Sequence, residues 1–269
     1  NANIALIETL LRKGDELFMD EKYHDSGVMA TKLVDAKVTY FKHNDAVELE
    51  GFLKVSSAKR KVIAVEGIYS MDADLLDVDI IHLADKYEAI LILDEAHSSG
   101  VIGKNLMGIL DHYTLPVKEN YIKMGTLGKA YGSFGAYILA SAHIIEYLIN
   151  RAKPIIYATA PSIFDTALGH ASLNYILKHR VELRTQIKRH QEIVYESLVI
   201  RVEGLIVPID IADNRIVMQI QAELMKENYL VGAIRQPTVE SAIIRLIARL
   251  GVSEDELFTV CNLIKSKIR

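Results

Sequence analysis

Unbroken apolar runs alternate with helix-period segments along this chain, and that rhythm restricts its fold more than any other feature. Lys61-Val62-Ile63-Ala64-Val65 reads as a strand that is apolar on both faces. Residues 77–87 follow as a helix, with Val78, Ile81, Leu83 and Ala84 on one side. Ala89-Ile90-Leu91-Ile92-Leu93 is a second continuous apolar run. A strand without a polar face must be covered on both sides, and strand, helix, strand in that order implies parallel pairing. The same order is predicted upstream: strand 16–19, helix 26–35, strand 37–41, helix 45–55. Two more strands, 121–124 and 136–140, flank a polar stretch punctuated by Gly125, Gly128, Gly132 and Gly135. The expected fold class is therefore α/β, a large mixed and mostly parallel sheet with helices on both faces. A long helix, 162–198, then leads to a restart: strands at 205–211, 229–234 and 243–248, helices at 214–227 and 253–268. The expected division is a large domain over 1–165, then the connecting helix and a smaller C-terminal α/β domain over 166–269.

The formal net charge is -4, so the basic excess that attracts nucleic-acid phosphates or anionic lipid is missing. No apolar run is long enough to span a bilayer. Cys261 is the single cysteine, which rules out an intrachain disulfide and suits a reducing cytoplasm. The chain opens on Asn1-Ala2-Asn3-Ile4 with no initiator Met, and further residues are expected before it.

In an open parallel sheet, ligands bind beyond the carboxyl ends of the strands. Three stretches put reactive side chains there: Glu66 to Asp72, Asp94-Glu95-Ala96-His97, and Thr126 to Lys129. Asp-Glu-Ala-His also serves nucleotide hydrolysis, but that chemistry needs an upstream phosphate loop ending in Gly-Lys-Ser/Thr. Gly103-Lys104-Asn105 and Gly128-Lys129-Ala130 lack the hydroxyl residue and lie downstream. Asp94, Glu95 and His97 as metal ligands lack a well-spaced fourth, and no metal is expected. Taken together, the three stretches meet the needs of pyridoxal phosphate. The aldehyde needs a lysine, which Lys129 supplies from a glycine-flexible loop. The ring nitrogen needs an acid, and Asp94 ends a buried strand. His97 is in range of the phenolic oxygen, and Thr126 supplies a hydroxyl for the phosphate. Each residue alone has an ordinary structural explanation, as a cap, a turn residue or a solvated lysine. A chain that merely folds or associates is the plain alternative.

Gly125-Thr126-Leu127-Gly128-Lys129-Ala130, with Gly132-Ser133-Phe134-Gly135-Ala136-Tyr137 after it, resembles the lysine segment of the α-oxoamine synthases, fold-type I pyridoxal-phosphate enzymes with an aspartate-aminotransferase-like architecture. Glu66-Gly67-Ile68-Tyr69-Ser70-Met71-Asp72 and Asp94 to Gly103 resemble two further segments, in the same order. The resemblance covers essentially the whole chain. It implies that Lys129 carries the cofactor as a Schiff base and shuttles the α proton. It implies that Asp94 pairs with the pyridine nitrogen, and that His97 and Ser70 lie at the phenolic oxygen. It further implies that His24 stacks on the ring, that Thr126 holds the phosphate, and that Thr159 reaches the phosphate of a partner subunit's site. Arg245 binds the amino-acid carboxylate, although Ile247 stands where the family has a second arginine. The implied partners are an amino acid, an acyl-CoA or acyl carrier protein, and a second copy of the chain in a homodimer with a shared site. Gly-Ser-Phe-Gly-Ala-Tyr and Leu148 to Pro154 look most like the branch that condenses L-alanine with a pimeloyl thioester to give 8-amino-7-oxononanoate for biotin. Glycine C-acetyltransferase and 5-aminolevulinate synthase are the alternatives.

Overall fold

The computed structural model describes residues 2–268; the outermost residues of the two expected domains, Asn1 and Arg269, lie outside them. The described chain separates into two compact units, 2–69 with 75–178, and 70–74 with 179–268.

The first unit follows the alternation in the sequence. Its elements are α1 (Ala2–Leu10), β1 (Glu16–Asp20), α2 (Asp25–Thr31), β2 (Lys37–Phe41), α3 (Ala46–Val55), β3 (Lys61–Glu66), α4 (Val78–Lys86), β4 (Ile90–Asp94), α5 (Ile109–His112), β5 (Tyr121–Thr126), β6 (Ala136–Leu139), α6 (Ala142–Arg151) and α7 (Lys153–Ile156). The start of α8 (Ile163–Leu198) completes it. Six strands form one sheet in the order β2-β1-β3-β4-β5-β6. The first five are parallel, and β6 returns antiparallel to β5. The chain runs outward from β1 to β2 and then back past β1 to β3, which places a topological switch point between β1 and β3.

Period-two alternation explains why the central strands are apolar throughout. Leu17, Met19, Val62, Ala64, Ile92 and Ile122 share a core with Leu6, Leu10 and Leu148. Their neighbours Phe18, Ile63, Val65, Leu91 and Leu93 point to the opposite face and are equally buried. The outer strand β2 is only partly buried and bears Lys37, which discourages edge-to-edge pairing. Caps set the helix starts. Asp45 accepts from Glu48 N at 2.8 Å and Asp77 from Asp79 N at 2.9 Å.

In the second unit, β7 (Ile206–Asp210), β9 (Ile243–Ile247) and β8 (Gly232–Ile234) form an antiparallel sheet in that order. The helices α9 (Asn214–Lys226) and α10 (Glu254–Ile268) join the end of α8 on a core of Val194, Ile209, Val217, Leu224, Ile244 and Leu257. Among the described residues no helix is long and apolar enough to cross a membrane.

Candidate active site

Four neighbouring strands each deliver one group at the carboxyl end of the first unit's sheet. His24 follows β1, Glu66 ends β3, Asp94 ends β4 and Thr126 ends β5. These residues, with His97 and Lys129, line one cavity of about 1130 Å³. Thr159 lines it as well.

Asp94 is buried, and both carboxylate oxygens are held. Oδ1 accepts from Ala96 N at 3.0 Å and Oδ2 from Asn3 Nδ2 at 2.9 Å. Asn3 in turn accepts from the Tyr23 hydroxyl at 2.7 Å. Burial first, then the Asp94 charge, pushes the Tyr23 hydroxyl well up, so it remains a neutral donor. The carboxylate at the end of β4 is thus fixed in direction by residues far away in sequence.

The Lys129 loop is built for close approach. Leu127 N donates to Gly135 O at 2.9 Å and Ser133 N to Leu127 O at 2.8 Å, which closes the loop on itself. Gly135 has φ +113°, a region open to glycine and strained for other residues. Across from the loop, Gly100 has φ +82°, and a Cβ there would lie 2.5 Å from Ala130 Cβ. Only a glycine lets the loop rest against the segment after β4. The result is that Lys129 Nζ lies 2.7 Å from His97 Nε2. Thr126 Oγ1 donates to Gly135 O at 3.2 Å and accepts from Gly128 N at 3.1 Å, so it shapes the loop from the strand end.

His24 caps α2 through its ring. Nδ1 accepts from Ser26 N at 3.1 Å and lies 2.9 Å from Ser26 Oγ, which sets the imidazole plane at the cavity. Ser70 and Arg245 belong to the second unit, where Arg245 Nε donates to the Ser70 carbonyl at 2.7 Å.

Glu95 has a different task from its neighbour. It is fully buried, accepts from Ile109 N at 3.0 Å and from the Ser98 hydroxyl, and lies 3.2 Å from Lys123 Nζ. Its oxygens are committed inside the protein, so it is available neither to activate water for nucleotide hydrolysis nor to ligate a metal with Asp94. Among the described residues, Asp94, Glu95 and His97 do not converge as a ligand set.

Asn3 and Glu66 received no role from the sequence. The signal for Glu66 was an acid closing the apolar run Val62 to Val65. For Asn3 it was a polar residue within the apolar face of α1, 2% exposed. Neither signal says what the group would meet.

The donor set fits pyridoxal phosphate. A buried carboxylate aims into the cavity for a ring nitrogen, an amine stands beside it for an aldehyde, and an imidazole is held at the rim. A carboxyl oxygen of Glu66 has no hydrogen-bond partner within the protein, as expected where a polar ligand belongs.

Comparison with known proteins agrees. The profile of the family described as Aminotransferase class I and II matches residues 1–264. An 8-amino-7-oxononanoate synthase of Helicobacter pylori strain J99 is 40% identical over 262 residues, which cover 97% of this chain and 70% of that protein. The solved 8-amino-7-oxononanoate synthase of Francisella tularensis superposes with a TM-score of 0.81 at 29% identity, over 99% of this chain and 79% of that one. A serine palmitoyltransferase from S. paucimobilis reaches 0.92 at 20% identity, over 99% and 69%, a likeness of fold. The architecture is that of a fold-type I pyridoxal-phosphate transferase. The chain belongs to the aminotransferase class I and II family, and within it to the α-oxoamine synthases.

Proposed function

We propose that this chain catalyses the pyridoxal-phosphate-dependent, decarboxylative condensation of L-alanine with a pimeloyl thioester, giving 8-amino-7-oxononanoate for biotin synthesis. The observation that carries the reading is the convergence of Lys129, Asp94, His97, His24 and Thr126 on one cavity at the ends of adjacent strands. The relatives named above make the alanine branch the favoured one.

Pyridoxal phosphate, when bound, supplies an electron sink that stabilises negative charge on the amino acid's α carbon. Asp94 would pair with the ring nitrogen, and Asn3 Nδ2 holds that carboxylate in place. Lys129 Nζ would hold the aldehyde, and its amine would serve as the group that takes and returns the proton at the amino acid's α carbon. His97 lies 2.7 Å from the lysine amine, which it would orient, and would serve the phenolic oxygen. His24 and Thr126 line the same cavity, where the imidazole would cover the pyridine ring and the Thr126 hydroxyl would hold the phosphate. Within the second unit Arg245 Nε donates to the Ser70 carbonyl; by the family resemblance Arg245 would bind the substrate carboxylate and Ser70 would assist at the phenolic oxygen.

The reading includes a homodimer in which Thr159 serves the phosphate of the partner subunit's site. It is supported by Tyr157, Ile163 and Phe164, large apolar side chains that are 83%, 89% and 75% exposed beside Thr159. A cytoplasmic setting is part of the same reading, and Cys261 is a free, buried thiol.

The test uses purified chain loaded with pyridoxal phosphate. L-alanine with pimeloyl-CoA should release thiol and carbon dioxide and give a product of the mass of 8-amino-7-oxononanoate. Turnover of glycine with acetyl-CoA or succinyl-CoA, and none of alanine, would transfer the chain to the glycine-using branches.

A further inference from the structure

Glu66 and Asp94 are register partners on adjacent parallel strands, both end their strands, and both line the cavity. The two acids have unlike surroundings. Asp94 receives Asn3 Nδ2 on one oxygen and Ala96 N on the other, so both of its oxygens have donors. Glu66 is 3% exposed, receives the His24 backbone N–H, and leaves Oε1 without a hydrogen-bond partner. A buried oxygen with nothing to accept from is costly as a carboxylate but well suited to carry a proton. Two carboxylates side by side repel, so one proton between them is the favoured state, and the groups around them place it on Glu66.

We propose that Glu66 is a second acid of the catalytic cavity: a neutral carboxyl whose O–H is donated to an acceptor oxygen of the bound cofactor or amino acid. This rests on the function proposed above, because it assumes that the cavity holds those ligands. The groups facing Glu66 are Asp94 on β4, Asp20 on β1, Lys129 on its loop, the His24 backbone before α2, and the hydroxyls of Tyr23 and Tyr69. Burial, followed by the Asp94 charge, outweighs the His24 hydrogen bond and Lys129, and lifts the Glu66 carboxyl well above the ordinary carboxylate range. The same carboxyl also anchors the backbone of His24.

The first measurement is infrared spectroscopy of the full chain without cofactor, at neutral pH. The wild type should show the C=O stretch of a protonated carboxyl. Glu66→Gln should lose that band, and Asp94→Asn should keep it while moving its disappearance to lower pH. A wild type without the band, or a Glu66→Gln protein that retains it, overturns the assignment, whatever reaction the chain catalyses. Failure of the proposed function is seen separately, as a chain that binds no pyridoxal phosphate. The second measurement concerns the donor, and reads pyridoxal-phosphate affinity by fluorescence and L-alanine affinity by the visible spectrum of the loaded chain. Glu66→Ala should weaken one of the two by about 3- to 10-fold, the loss of one hydrogen bond, and the arm affected names the source of the oxygen. Glu66→Gln, which keeps a neutral donor, should recover most of that loss. An Ala variant equal to wild type in both arms overturns the donor role.

Discussion

The two units bury different things. The first buries six carboxyl groups, Asp15, Glu16, Asp20, Glu66, Asp94 and Glu95; the buried polar side chains of the described second unit are His190 and Ser197. The second unit is a conventional apolar core under an antiparallel sheet. A buried carboxylate must be paired or hydrogen-bonded to persist. Four of the six are paired for structure. Asp15 meets Arg60 at 2.5 Å, Glu16 meets Lys37 at 2.6 Å, Asp20 accepts from Tyr69 at 2.8 Å, and Glu95 meets Lys123 at 3.2 Å. Asp94 and Glu66 are the two that face the cavity. Burial of charge therefore does not by itself set the proposed site apart; burial together with an open side toward the cavity does.

Removing the lysine that faces those two acids should have the largest effect. Lys129→Ala should lower turnover by about 10³-fold or more, because both the tether and the proton carrier are lost. A steady-state assay with full activity would contradict the mechanism. Next comes the contrast between Glu95 and Asp94. Glu95→Ala leaves the half-buried Lys123 ammonium with the Met107 carbonyl but without its carboxylate, and takes the acceptor from the buried Ile109 N–H; it should cost about 3–5 kcal/mol in urea unfolding. A loss below about 1 kcal/mol would mean that Glu95 is not the structural acid described here. In the second unit, Ile244→Ala opens a cavity in an apolar core and should cost about 2–5 kcal/mol, with little dependence on pH.

The pH dependence separates the acids further. Burial alone would raise Asp20, but hydrogen bonds from His43, Asn44 N and Lys22 N outweigh it and hold the carboxyl below its ordinary range. A depressed pKa contributes stability that is present above the unfolded value, near 3.9 for aspartate, and is lost as pH falls through the folded value. Glu66 has the opposite sign. Its raised pKa favours the folded state at low pH, and that advantage is lost as pH rises from the unfolded value toward the folded one. Urea midpoints against pH should show Asp20→Asn flattening the acid limb and Glu66→Gln flattening the limb on the alkaline side. The smallest effect belongs to the surface. Lys54 pairs with Glu50 on an exposed helix face, and Lys54→Ala should leave the midpoint unchanged within error.

Strands were legible because their apolar runs are continuous and helices because theirs are periodic, and the second-unit elements were read the same way. The amphipathic helix α6 was not read as a helix, although Ile144 and Leu148 lie on its core side. The four-residue helices α5 and α7 are too short to show a period. The lysine loop and the acid at the end of β4 could be placed because strand ends are where ligands bind. Their supports could not. Asn3 reaches Asp94 across 91 positions, and Glu66 meets Asp94 only through the strand register. Such contacts are fixed by the fold and leave no local pattern.

The proposed reaction depends on Lys129 being the residue that holds pyridoxal phosphate. Borohydride reduction of the loaded chain, followed by peptide mapping, tests this directly. The expected result is one added pyridoxyl phosphate per chain, on the peptide that contains Lys129. Label on a different lysine, or no label at all on folded protein, would contradict it.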